Sequence, residues 1–176
     1  VFFAVAFCGA VSVLINARYK PSELAYVIEN ADLVSLITTD TVAEHVDFVD
    51  RLQSALPDLA SSPDCYNLAI QNAPRLRNLV LLGDSQASGF IGRAAFERGA
   101  ESVSELEVHR SRVTVRVRDN GLILYTSGTT SNPKGCLITH EAMVRNSSVL
   151  GRHRFQLARD DNLWSQLPLL HIAGML

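Results

Sequence analysis

Cysteine is scarce in this 176-residue sequence: Cys8, Cys65 and Cys136 are an odd set, far apart, with no C-x-x-C pair. That excludes the usual zinc and dithiol redox signatures and fits a reducing compartment with buried or idle thiols. An excess of either charge is also missing. Sixteen Lys and Arg face 18 Asp and Glu, a net charge of −2, so no global field draws the chain to nucleic acid or to an anionic membrane. There is no internal repeat, no low-complexity tract and no apolar run long enough to span a membrane. The opening "VFFAVAFCGAVSVLI" stops at Asn16 and Arg18, short of the roughly 20 apolar residues that a spanning helix needs. It also lacks an initiating Met and the basic flank of a signal peptide. The expectation is a buried helix running into a buried strand, in a chain that starts inside a longer protein.

What is present is a hydrophobic content of 47%, enough for a packed core, arranged as strands alternating with helices. Pro21 suits a first helical position, and Leu24, Val27 and Ile28 share one helical face. Val34 to Thr38 reads as a strand. Asp40 is placed to cap a second helix carrying Val42, Val46 and Val49 as far as Pro57. Pro57 to Pro74 is a loose connection with one short helical turn, and Leu79 to Leu82 is another buried strand. Phe90 to Arg98 reads as a helix ended by Gly99. In "RVTVRVR", Val113, Val115 and Val117 alternate with Arg112, Thr114, Arg116 and Arg118, the pattern of a strand with one apolar and one solvated basic face. Leu122 to Tyr125 is a further strand, Thr139 can cap a helix with Glu141 in its first turn, and "NLWSQLPLLHIAG" is an apolar strand broken at Pro168, with Trp164 in the core. The sum is an α/β fold: a layered, largely parallel sheet with flanking helices.

Between the Leu122 strand and the Thr139 cap lies "YTSGTTSNPKG". A loop leaving a buried strand stands where open α/β sheets bind ligands. Gly128 and Gly135 let the backbone turn, the hydroxyls of Thr126, Ser127, Thr129 and Thr130 supply donors on short stems, and Lys134 adds a full positive charge. Such a set suits the spread charge of a di- or triphosphate. The same small polar residues also make ordinary solvent-exposed turns; Lys134 held between Pro133 and Gly135 shifts the balance toward a phosphate site. The P-loop of NTPases does not fit, because it needs glycine before the lysine and a hydroxyl after it, and those places hold Pro133 and Gly135.

The string "LILYTSGTTSNPKGCLITH" closely resembles the phosphate-loop motif of the adenylate-forming enzymes, which include acyl-CoA synthetases, peptide-synthetase adenylation domains and luciferases. "GAVSVLINARYKPSELAYVIENAD" resembles that family's upstream segment, and "PLLHIAGM" its Pro-Leu-Phe-His-x-x-Gly motif. The resemblance runs from about Gly9 to the end, weakest between Asp58 and Asn120. It implies part of the large N-terminal domain of such an enzyme over residues 1–176, without the extreme N-terminus and the C-terminal half. It further implies a cytoplasmic ligase that uses ATP and Mg²⁺ to turn a carboxylic acid into an acyl-adenylate, then passes the acyl group to coenzyme A.

On this mapping Thr126, Ser127, Gly128, Thr129, Thr130, Lys134 and Gly135 hold the β- and γ-phosphates, and His171 lines the acid pocket. His140 also matches a family position, though a helix-start role accounts for it equally; His45, His109 and His153 carry no assigned role. Ser131 stands where the family has glycine, which costs about 1 kcal/mol if that position needs a positive φ. The family's adenine, ribose and C-terminal lysine motifs do not occur in the sequence, so the 176 residues alone are expected to form no adenylate. The competing expectations are a truncated, non-catalytic paralogue acting as a binding module and a peptide-synthetase adenylation domain that feeds a carrier thiol. Aliphatic or alicyclic acids, as in fatty acid metabolism, are the expected substrates.

Overall fold

The computed structural model describes residues 1–42, 45–126 and 132–162. Along the chain these form α1 (Phe2–Phe7), β1 (Ser12–Leu14), α2 (Pro21–Asn30), β2 (Ser35–Thr38), α3 (Phe48–Ala55), a 3₁₀ turn (Pro57–Leu59), β3 (Asn78–Leu81) and β4 (Ile91–Gly92). Then follow α4 (Arg93–Ala100), α5 (Glu105–Thr114), β5 (Asn120–Thr126), β6 (Lys134–Thr139) and α6 (His140–Val149), which leads into a π turn at Leu150–Arg154. Two compact units result. One is Ala17–Ser104; the other combines Val1–Asn16 with the described residues from Glu105 onward.

The Ala17–Ser104 unit holds most of the described core. Its sheet has the order β2-β3-β4, parallel throughout, with Leu36 opposite Leu79 and Val80 opposite Ile91. Pro21 opens α2, where the Glu23 carboxylate accepts from the Lys20 amide at 2.8 Å, and Leu24, Val27 and Ile28 form its buried face as the spacing predicts. Val27, Leu56, Leu59, Leu76, Leu79 and Leu81 are fully buried. Among the described residues, all the buried apolar side chains except Leu122 and Leu124 belong to this unit. Pro57–Leu59 supplies the one helical turn expected in the loose connection.

Two expectations in this unit need correction. Asp40 does not cap α3. That cap is Asp47, whose side chain accepts from the Asp50 amide at 2.9 Å, and α3 starts only at Phe48. Asp40 instead accepts from the Ser85 amide at 2.7 Å, in the loop after β3, and its carboxylate lies over Gly83, where an added Cβ would come within 1.6 Å. A tertiary partner has taken the oxygen that local sequence offered to a helix. Likewise the helix expected from Phe90 begins at Arg93, because Ile91 pairs with Val80 as a short third strand and is buried with Phe90.

The Asp40 arrangement carries a pH signature. Hydrogen bonds from Ser85, side chain first and backbone second, hold this carboxyl below its ordinary value. A depressed carboxylate stabilises the fold fully above its unfolded pKa of about 3.9 and loses that contribution as pH falls through the lower folded value. Asp40→Asn is therefore expected to flatten the acid limb of the urea-midpoint curve below about pH 4 and to leave its shape above that pH unchanged. An acid limb identical to wild type would show that Asp40 is not coupled to folding.

In the other unit the sheet order is β1-β5-β6, with β1 parallel to β5 (Ser12 opposite Leu122) and β6 antiparallel to β5. Three of the four strand pairings of the two sheets are thus parallel, as expected for an α/β chain, but they are divided between two three-stranded sheets. The opening apolar run forms a helix and a strand as anticipated, yet the helix is not buried. Phe3 is 75% and Phe7 52% exposed. With α5 and α6, α1 lines an open apolar groove of about 690 Å³ that includes Phe2, Val115, His140 and Met143.

"RVTVRVR" is not a strand. Its first residues finish α5, and the chain turns at 116–119, where the Arg116 amide donates to the Asp119 carboxylate at 2.7 Å. Val113 and Val117, 63% and 66% exposed, build no buried face for a sheet, so alternation had no burial to enforce it. Acidic Glu105 and Glu107 in the first turn and Arg112 in the last complement the helix dipole instead. The arginines are solvated, as expected of that stripe.

Candidate phosphate-binding site

β5 and β6 form an antiparallel hairpin that sequence reasoning missed, having led the loop straight to the Thr139 cap. The signal was available in "CLIT", a short apolar and β-branched run directly after Lys134-Gly135. The hairpin pairs Leu124 with Cys136, Tyr125 with Gly135 and Thr126 with Lys134. Thr126 and Lys134 therefore stand opposite each other, both exposed, at the two ends of the connecting segment, and the Thr126 hydroxyl donates to the Lys134 carbonyl at 3.4 Å. The register puts a hydroxyl-bearing and an ammonium-bearing residue opposite each other at one sheet end, residue types that suit a polyphosphate.

The other candidates divide as follows. Ser127, Gly128, Thr129, Thr130 and Ser131 lie outside the described residues, as do Trp164, His171 and the whole "PLLHIAGM" stretch. Gly135 is described, and its expected role as a turn residue is wrong. It sits within β6, without a positive φ, where an added Cβ would lie 3.1 Å from Ile123 Cγ2 and 3.3 Å from Tyr125 Cζ. The glycine is a matter of space, not of backbone freedom. His140 is the first residue of α6; its amide donates to the Asp119 carbonyl at 3.1 Å and its ring lies over Gly121.

Thr139 caps α6 as expected, accepting from the Ala142 amide at 3.2 Å. This cap stands at the end of β6 away from the loop, paired with Asn120. It lies five residues along β6 from Lys134, roughly 17 Å of extended chain. The α6 dipole thus acts at the far end of the hairpin, whereas an NTPase P-loop runs directly into a helix N-terminus. A loop that enters an antiparallel strand is a different construction, and the Walker reading fails on topology as well as on sequence.

Among the described residues no group of three or more His, Cys, Asp or Glu side chains could hold a metal ion. The cysteines are free, but Cys8 and Cys136 are exposed where buried thiols were one expectation. No helix of the described residues is long and apolar enough to cross a membrane.

A family model described as AMP-binding enzyme matches residues 1–176, the whole chain. The chain belongs to the AMP-binding enzyme family. Its curated relatives include an acyl-CoA ligase, sidI, of Aspergillus fumigatus, 31% identical over 182 residues that cover 99% of this chain and 28% of that protein. The crotonobetaine/carnitine–CoA ligase of Salmonella enteritidis is 27% identical over 176 residues, covering 97% of this chain and 29% of the relative. This member of the family therefore spans less than a third of the length of these relatives. Among solved structures, ATP-bound MatB from Rhodopseudomonas palustris superposes with a TM-score of 0.65 over 99% of this chain and 28% of that one, at 23% identity, a likeness of fold.

Proposed function

We propose that this chain is part of the large N-terminal domain of a cytoplasmic, ATP-dependent acid–thiol ligase and carries its polyphosphate site. The observation that supports this most is the hairpin that sets Thr126 opposite Lys134 at the mouth of a hydroxyl-rich connection. A carboxylate oxygen of the acid attacks the α-phosphorus of ATP, the bond from that phosphorus to the bridging oxygen breaks, and pyrophosphate leaves. Charge builds on the departing β- and γ-phosphates. Lys134, the Thr126 hydroxyl and the donors of Ser127, Gly128, Thr129 and Thr130 hold that group and steady the charge as it develops. Mg²⁺ would share the neutralisation, and the nucleotide's own oxygens are its expected ligands, since the hairpin offers neutral and cationic donors.

In the second step the sulfur of coenzyme A attacks the acyl carbonyl, the acyl–phosphate bond breaks and AMP departs. His171 is proposed to line the acid pocket, on its match to the family's histidine. The acid itself is expected to be aliphatic or alicyclic. The test is pyrophosphate exchange into ATP, run with a panel of carboxylic acids on the protein that contains this chain, followed by thioester formation with coenzyme A. Exchange that depends on one class of acid, with AMP as the nucleotide product, is the expected result. ADP in place of AMP would overturn it. Exchange without transfer to coenzyme A would point to a carrier thiol as acceptor, and no exchange with any acid to a non-catalytic binding module.

A further inference from the structure

We propose that Tyr125 is the positioning residue of this site: its ring lies across Gly135 and locks the register that sets Thr126 against Lys134. The inference rests on the phosphate-site reading for its function but not for its geometry. Tyr125 and Gly135 are direct cross-strand partners, and the space that a Cβ on Gly135 would fill is bounded by Tyr125 Cζ at 3.3 Å, the Tyr125 hydroxyl at 3.4 Å and Ile123 Cγ2 at 3.1 Å. Every side chain larger than hydrogen competes with the ring for that volume.

The need for a lock follows from the sheet. In the order β1-β5-β6, β6 has one neighbour among the described strands, and its outer face is poorly covered: Leu137, two residues along from Gly135, is 64% exposed. At the far end the register is already irregular, with a shift between Asn120 and Leu122. Weakly covered strands with glycine are the ones that slip, and a slip of one residue sends every side chain to the opposite face. A slip here would turn Lys134 away from Thr126. An aromatic ring laid over a cross-strand glycine is a known remedy for the loss of packing at such a position.

The test has two readouts on the protein that contains this chain. By NMR, the Gly135 Hα protons should be shifted upfield by the ring in wild type and in Tyr125→Phe, and should return to ordinary positions in Tyr125→Ala. By titration with Mg-ATP, Tyr125→Ala and Gly135→Val should each weaken binding about tenfold, the scale of coupling between touching residues. The double variant Tyr125→Ala/Gly135→Val should recover most of the loss, because the valine fills what the ring vacates. Losses that multiply in the double variant, or a wild-type Gly135 Hα without the ring shift, would overturn the proposal. If wild type does not bind Mg-ATP, the phosphate-site reading falls, and the ring shift and its dependence on Tyr125 still decide the packing claim.

Discussion

Lys134→Ala in the complete enzyme is expected to lower kcat/KM for ATP in adenylate formation by about 10²–10³-fold, the usual result of removing a donor aimed at developing charge. Lys134 is the one lysine or arginine between Tyr125 and Gly135, so no neighbour in the motif replaces its charge. It begins β6 and faces solvent, which leaves the ammonium free of competing burial costs when a phosphate arrives. The acid should bind almost as before, since the lysine is assigned to the leaving group. Thioester formation from a preformed acyl-adenylate should also be nearly unaffected, because pyrophosphate has already gone. Single-turnover measurements of the two half-reactions separate the cases. Equal losses in both would mean that the substitution disturbs folding, and a normal first half-reaction would remove Lys134 from the phosphate site.

Gly89→Ala is expected to destabilise the Ala17–Ser104 unit strongly. Gly89 has φ +84°, and a Cβ there would lie 2.5 Å from the Leu59 carbonyl oxygen and 2.6 Å from Leu59 Cδ1. The left-handed backbone costs a non-glycine residue about 1–2 kcal/mol, and forcing a group into packed space costs about 1–3 kcal/mol more. Leu59 has little room to yield, being fully buried with its amide bonded to the Leu56 carbonyl at 2.9 Å. A loss of about 3 kcal/mol in urea unfolding is the expected outcome. Gly99→Ala is the internal control: it lies in α4 with nothing within 4 Å of the added carbon, and should raise stability by up to about 1 kcal/mol. A Gly89→Ala midpoint equal to wild type would show that this loop passes Leu59 by another path.

How far the sequence foretold these features depended on whether local pattern and tertiary packing agreed. At α2 they did: proline, the first-turn glutamate and the apolar spacing all specify one helix, and one face of it is buried. At 112–118 the alternation of valines and arginines was genuine, but it had no neighbouring strand to pair with, and helix electrostatics decided. Asp40 was the expected cap of α3, and Asp47 holds that place instead. What separated them was Ser85, 45 residues from Asp40, which sequence order does not bring near. Membership of the family was legible because the motif's residue types and order are distinctive. The hairpin's second strand was not, since a six-residue strand with a glycine in second place offers little periodicity, and Gly135 was credited with flexibility where Ile123 and Tyr125 leave a side chain little space.

The pairing of Ser12 with Leu122 has a consequence for how the protein is made. During synthesis β1 emerges before its mate, which lies more than a hundred residues behind it. At about 5–20 residues per second that is an interval of roughly 5–20 s, ample for the intervening segment to collapse around its own leucines. Throughout that delay β1 has no partner strand and its apolar side chains stand uncovered, a natural station for a holding chaperone and a point at which an overproduced chain would begin to aggregate.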